Sequence, residues 1–277
     1  MPYKGEDVRL PLNGTVLITG ASSGIGEQLA LQLAKTASAM AIVARRTDRL
    51  EELKSRLLVL NQKLVVLVQP CDLAVVEDAA KMIDAVEETL GPIDVLINNA
   101  GYGDLGLFEF SDWSKLEKMI QLNVVGLSYL THRVLPSMLE RCRGGILNVS
   151  SGFGLTFLPG AAAYIGTKHY VTSFTESLRS ELVGTGVVVS QVCPGPVATE
   201  FEAVAGNPVD MNYNWLLEIS ADRCARETLA GFSKGRALIM PGWIATLLVL
   251  AGAWSPRWVL RLSCRWMGRW LRKKAVS

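Results

Sequence analysis

One alternation limits what this chain can fold into more than any other feature. Short, nearly continuous apolar runs rich in β-branched residues recur at 15–19, 39–44, 64–69, 93–97, 145–149, 187–192 and 237–240. Between them lie longer stretches with helical periodicity, at about 24–35, from Thr47 onward, and at about 75–90, 113–141 and 162–183. A strand that is apolar on both sides has to be covered on both sides. Strands of that kind separated by helices form a parallel sheet sandwiched between helical layers.

The expected fold is therefore α/β, a single-domain doubly wound Rossmann fold with a seven-stranded parallel sheet. Crossovers in such a sheet are right-handed, and ligands lie beyond the carboxyl ends of the strands. The chain has 277 residues, enough to bury a large core without disulfides. Its five cysteines are scattered, form no Cys-x-x-Cys and are odd in number, which reads as reduced, intracellular and metal-free. The opening residues show no signal-peptide h-region, so a cytoplasmic protein is expected.

Strand 15–19 runs into Gly20-Ala-Ser22-Ser23-Gly24-Ile25-Gly26 and then a helix. Glycines allow a tight turn and a close approach of backbone to a pyrophosphate, which a helix N-terminus attracts. The second strand ends at Arg45 and Arg46. Guanidinium groups there suit a ribose 2′-phosphate, where an acid would suit the free hydroxyl. NADP(H) is the expected cofactor, with Arg45 the main contact and Arg46 secondary. Asp72 and Leu73 follow strand three; the carboxylate could accept from an adenine amino group or serve as a turn residue. Asn98-Asn99-Ala100-Gly101 ends strand four, beside the expected cleft.

Tyr164 and Lys168 are four residues apart, on one face of the expected helix 162–183. An ammonium beside a phenol favours the phenolate, so the pair can trade a proton nearer neutral pH. Ser151 lies thirteen residues upstream of the tyrosine, and Asn123 further back.

Taken in order, Thr19-Gly-x3-Gly-x-Gly26, Asn98-Asn-Ala-Gly101, Asn123, Ser151, Tyr164-x3-Lys168 and Pro194-Gly195-Pro-Val197-Ala-Thr199 resemble the classical short-chain dehydrogenase/reductases over residues 12–242. The resemblance implies a general acid/base at Tyr164 and a substrate-holding hydroxyl at Ser151, chosen over Ser150 by its spacing to the tyrosine. It implies that Lys168 lowers the tyrosine pKa and binds the nicotinamide ribose, and that Asn123 completes a proton relay through water and backbone. Pro194, Gly195, Val197 and Thr199 would border the nicotinamide, residues 200–220 would form the substrate loop, and dimers or tetramers are the expected assemblies.

Residues 243–277 form a compositional unit of their own. They hold five of the seven tryptophans and seven Lys/Arg with no Asp or Glu; against a whole-chain net charge of +2, this leaves −5 for residues 1–242. The apolar stretch 243–254 makes about 18 Å of helix, too short to cross a bilayer. Beyond Pro256, Arg257, Arg261, Arg265 and Arg269 recur every four residues beside a stripe of Trp258, Leu262, Trp266 and Trp270. This is the profile of an interfacial membrane anchor, or of a helix packed on the body or on a second subunit. His132 and His169 have neither metal nor triad spacing and read as packing or surface residues. No metal and no nucleic-acid partner is expected. The expected activity is NADP(H)-dependent interconversion of a secondary alcohol and a ketone, on a lipophilic substrate such as a 3-oxoacyl lipid, sphingoid ketone or steroid. The alternatives are an NAD-dependent alcohol dehydrogenase and a catalytically silent dinucleotide-binding scaffold.

Overall fold

In a computed structural model, which describes residues 10, 12–206 and 218–276, seven strands form one parallel sheet. They are β1 (Thr15–Thr19), β2 (Ala39–Ala44), β3 (Val65–Pro70), β4 (Val95–Asn98), β5 (Gly144–Val149), β6 (Val187–Val192) and β9 (Leu238–Ile239), in the order β3-β2-β1-β4-β5-β6-β9. The direction of winding reverses between β1 and β4, whose registers pair Val16 with Val95 and Ile18 with Ile97. At this switch point the turns after both strands open on one crevice. A separate parallel pair, β7 (Val197–Ala198) and β8 (Ile219–Ser220), is not legible in the apolar pattern, because Pro196 and Thr199 flank the first and Glu218 and Ser220 interrupt the second, so neither stands in an apolar run.

Alternation along β1 divides the core. Val16 and Ile18 join the cluster with Leu29 and Leu33 of α1 (Gly24–Leu33), Leu50 and Leu57 of α2 (Thr47–Leu60), and Phe232 of α8 (Ala221–Phe232). Leu17 joins the opposite cluster, with Ile83 of α3 (Val76–Leu90), Val134 of α5 (Leu127–Glu140) and Leu178 of α6 (Ala162–Glu181). Each such Leu or Ile, fully removed from water, contributes about 1.5–3 kcal/mol. Both sheet faces are thus covered, as continuous apolar strands require.

The helix expected over 113–141 is instead α4 (Trp113–Ile120) and α5 joined by a π-helical turn, Gln121–Gly126. The turn carries Asn123. π-Turns loosen the i→i−4 ladder and occur mostly at functional positions. Of the expected substrate loop 200–220, the described elements are α7 (Phe201–Ala205) and β8; residues 207–217, including Met211, Tyr213 and Trp215, lie outside the described residues.

The tail is two helices, α9 (Trp243–Trp254) and α10 (Arg257–Val276), bent by 112°. No single described helix is long and apolar enough to cross a membrane. One side of the tail packs on the body. Ala245 lies against Gly195, Val249 against Gly152, and Leu271 against Gly160, while Cys264 donates to the Phe157 carbonyl at 3.5 Å. Arg272 makes a forked ion pair with Glu109 at 2.8 and 3.0 Å.

Candidate active site

The turn after β1 is shaped by what a side chain would strike. Gly20 (φ 65°) and Gly24 (φ 58°) lie in the left-handed region. A Cβ on Gly26 would run into the Asn99 amide and the Gly20 carbonyl. The turn is braced from β4: Asn99 Nδ2 donates to the carbonyls of Thr19 (2.9 Å) and Gly20 (3.1 Å). Thr19 Oγ in turn receives the amides of Asn99 and Ala100 at 2.9 and 3.0 Å. Asn99 therefore shapes the cradle. Ser23, the residue before α1, makes no side-chain cap, so the first N–H groups of that helix are left to an external acceptor. Ile25 is half-buried against the core beneath, and Thr199 closes over Gly24 from the opposite side, its methyl 3.0 Å from where a Cβ would stand.

The two arginines after β2 diverge. Arg46 donates to Ser22 Oγ (3.2 Å) and Ser23 Oγ (2.9 Å). It also pairs with Glu200 at 2.9 Å, and Arg49 pairs with the same carboxylate at 2.6 Å. These two bonds hold Glu200 below the usual carboxylate range. Arg45 instead lines a cleft with Asp72, Asp78 and Lys81. Contact with the turn thus belongs to Arg46, while Arg45 faces the neighbouring cleft. Asp72 accepts the amide of Ala74 at 3.1 Å, which is its turn role, and its carboxylate remains exposed. Leu73 is buried in the core, its carbonyl against Gly126 of the π-turn.

The end of β5 is fastened to α6. Lys168 Nζ donates to the Val149 carbonyl at 2.8 Å, and Ser150 Oγ donates to the Lys168 carbonyl at 3.1 Å while meeting Thr172 Oγ at 2.9 Å. Gly154 is required here, because a Cβ would come within 2.5 Å of both Ser150 Oγ and Thr172 Oγ. Ser150 is thus a buried brace. Ser151, partly exposed, accepts only the Phe153 amide at 3.2 Å, so its hydroxyl proton is not used by a described residue.

Tyr164 is 5% exposed, and the Lys168 ammonium lies 5.8 Å from the centre of its ring. Burial pushes the Lys168 ammonium down to about 8, opposed by the nearby Cys193. Cys193 is itself raised to about 11 by burial, so it is a neutral thiol at pH 7. A buried ammonium with one carbonyl partner among the described residues has hydrogen-bonding capacity left for a ligand. Gly101 brings the β4 turn to the same place: a Cβ there would stand 2.9 Å from Asn123 Oδ1 and 3.6 Å from Lys168 Nζ. The Asn123 side chain is occupied, receiving the Tyr102 amide (3.2 Å) and donating to the Tyr102 carbonyl (2.9 Å) and Thr167 Oγ (3.1 Å). Any relay through Asn123 must therefore use its main chain.

Beside Tyr164 stands an apolar wall of Tyr102, Phe153, Leu116, Met119 and Phe201, the last with its ring 5.4 Å from that of the tyrosine. The Pro194 carbonyl accepts the Gly152 amide at 2.8 Å, which ties the Pro-Gly turn to the segment after Ser151. Val197 is held by its pairing with Ile219. Sequence reasoning passed over Tyr102, Phe153, Gly154, Thr167 and Thr172. Nothing in their spacing marks them, because each earns its place through a partner distant in the chain.

Comparison with known proteins gives the family. The family model described as short chain dehydrogenase matches residues 14–208. Human "Dehydrogenase/reductase SDR family member 7" is 34% identical, over 95% of this chain and 78% of that one. "11-beta-hydroxysteroid dehydrogenase-like 2" of Arabidopsis thaliana is 33% identical, over 85% and 76%. Among solved structures, a short-chain dehydrogenase from Sphingobium yanoikuyae in complex with NADPH superposes with a TM-score of 0.77 at 31% identity, covering 87% of this chain and 93% of that one. A Burkholderia phymatum family member in complex with NAD shares the fold, with a TM-score of 0.78 at 22% identity, covering 92% of this chain and 96% of that one. The fold, the glycine cradle and the matched length together place the chain in the classical short-chain dehydrogenase/reductase family.

Proposed function

We propose that the protein is an NADP(H)-dependent carbonyl reductase, interconverting a lipophilic ketone and its secondary alcohol. The observation that carries this reading is the buried Tyr164–Lys168 pair, set between the glycine cradle and an apolar wall. The cradle fits a dinucleotide: a Cβ would fill it at Gly26, and the uncapped start of α1 suits a pyrophosphate. Arg46 with Ser22 and Ser23, and Arg45 across the cleft beside Asp72, would hold the adenosine end; the spare donors of Lys168 would hold the nicotinamide ribose. Thr199, Val197 and the Pro194–Gly195 turn would border the nicotinamide. When bound, the cofactor supplies or accepts the hydride at the carbonyl carbon.

The chain's own part is proton and charge management. Negative charge grows on the carbonyl oxygen as reduction proceeds. The hydroxyls of Ser151 and Tyr164 donate to that oxygen. Tyr164 then gives up its proton to it, and the Lys168 ammonium offsets the phenolate that remains. The main chain at Asn123, loosened by the π-turn, is the route by which the proton would be replaced. The wall of Tyr102, Phe153 and Phe201 excludes water and favours an apolar substrate.

A second reading has an observation of its own. Glu200 already satisfies Arg46 and Arg49, as it would in an enzyme that uses NAD and has no 2′-phosphate to bind. Oxidation of NADPH and NADH over a panel of bulky ketones separates the two. The expected result is a clear preference for NADPH that Arg46→Ala and Arg45→Ala each erode. Equal rates with the two cofactors, unchanged by either substitution, would refute the 2′-phosphate assignment. Tyr164→Phe should lower turnover by at least ~10² while sparing cofactor affinity. Cofactor binding with no turnover on any ketone, aldehyde or alcohol would favour the silent scaffold.

A further inference from the structure

The tail helices have three sides, and the catalytic reading uses none of them. On α10 the body-facing stripe is Leu260, Cys264, Gly268 and Leu271. A second stripe points outward: Trp258 and Trp266 are each 69% exposed, Leu262 52% and Trp270 46%. Between these lie Arg257, Arg261, Arg265 and Arg269, all exposed, none with an ion pair to a described carboxylate. The other helix, α9, carries no charge and leaves Trp243, Leu247, Leu248 and Trp254 between 56% and 86% exposed. A soluble protein seldom leaves so many large apolar side chains uncovered in one region without a partner for them.

We propose that this partner is an anionic lipid surface, on which the α9–α10 elbow lies as an interfacial anchor. Indoles settle at the boundary between headgroups and acyl chains, and guanidinium groups meet the anionic headgroups. Neither helix spans: α9 is about 18 Å long and α10 carries charge along its whole length. Charge argues against a second copy as the occupant. Residues 243–277 contain no Asp or Glu, so a two-fold contact of this face with itself would set arginine against arginine. The elbow is also placed to matter for the site. Ala245 rests on Gly195 and Val249 on Gly152, the two turns beside Ser151, so an anchored protein holds that rim next to the bilayer. Entry of a ketone dissolved in the membrane is the consequence, and it rests on the function proposed above.

The test is co-sedimentation of the full-length protein with vesicles, without cofactor or ketone. Binding is expected to phosphatidylcholine vesicles with about 30% phosphatidylserine, and much less to phosphatidylcholine alone. Arg261→Gln with Arg265→Gln should weaken anionic-vesicle binding by about 30-fold, from about fivefold per charge. Trp258→Ala with Trp266→Ala should weaken it by more than about tenfold, salt having little influence on that part. NADPH binding retained by each variant shows that it is folded. Full-length protein that ignores anionic vesicles overturns the proposal, as does a dimer in sedimentation that the same substitutions dissociate. Each variant should still reduce a water-soluble ketone at the parent rate but lose rate on a ketone carried in anionic vesicles. Vesicle binding with no turnover of either ketone would sink the enzymatic reading and leave the anchor standing.

Discussion

Replacing Lys168 with methionine should make the cofactor-free protein more stable at neutral pH while removing its activity. Lys168 is 6% exposed, and burial lowers the pKa of its ammonium from the ordinary 10.5 to about 8. For this group the folded value lies below the unfolded one. Between pH 8 and 10.5 the unfolded chain therefore binds more protons, and stability from this source rises with pH across that window. The charge thus weakens the fold fully below about pH 8 and not at all above about 10.5, by about 3 kcal/mol at about 1.4 kcal/mol for each tenfold change. Methionine fills a similar shape without the charge and gives up the bond to the Val149 carbonyl, worth about 1.5–3 kcal/mol for a charged donor. The net is a gain of about 1 kcal/mol at pH 7, or about 2–4 °C in Tm for a chain of this size. Thermal melts of both proteins without cofactor, at pH 7, 8.5 and 10.5, measure it. The Met variant should melt higher at pH 7, and its advantage should vanish or reverse by pH 10.5. A Met variant that melts lower at pH 7, with a gap that does not change with pH, would refute the idea that this site holds an energetically strained cation. Ketone reduction by the variant should fall by about 10²–10⁴, and in the parent protein it should decline as pH rises through about 8, where the ammonium is lost.

The two adjacent serines should separate cleanly. Ser151→Ala should cut kcat sharply with Tm unchanged, whereas Ser150→Ala should cost about 1–3 kcal/mol of stability by orphaning Thr172, read from urea melts. Glu200→Gln removes the anion that Arg46 and Arg49 share, so it should tighten NADPH binding more than NADH binding in fluorescence titrations; equal effects would mean that these arginines do not meet the 2′-phosphate. Gly26→Ala should abolish binding of both cofactors, because its methyl displaces the Asn99 amide that braces the turn; a calorimetric titration showing parent-like affinity would contradict that role.

Much of the fold was legible because its signals are short-range. Each strand of the main sheet declares itself by a local apolar run, and the glycine cradle by residues that tolerate φ near 60°. The continuous helix expected over 113–141 missed the π-turn at Gln121–Gly126, whose cause is tertiary: Gly126 lies against the Leu73 carbonyl, and Asn123 is pinned by Tyr102 and Thr167. The tail shows a similar limit. Its amphipathic stripes are visible in the sequence, which leaves a membrane anchor and a packed helix as alternatives; the structure has one face of α10 packed on the body and another exposed.

By itself, the sequence determined the parallel sheet, the cradle beyond β1 and the pairing of a tyrosine with a lysine one helical turn away. Only the tertiary structure decided the direction in which neighbouring side chains point. Ser150 braces α6 while Ser151 gives its hydroxyl proton to no described residue; Arg46 reaches the turn while Arg45 faces the other cleft. The physical reason is the same in both cases. Periodicity and φ preferences act over a few residues, whereas the partner a side chain meets is set by elements tens of residues away.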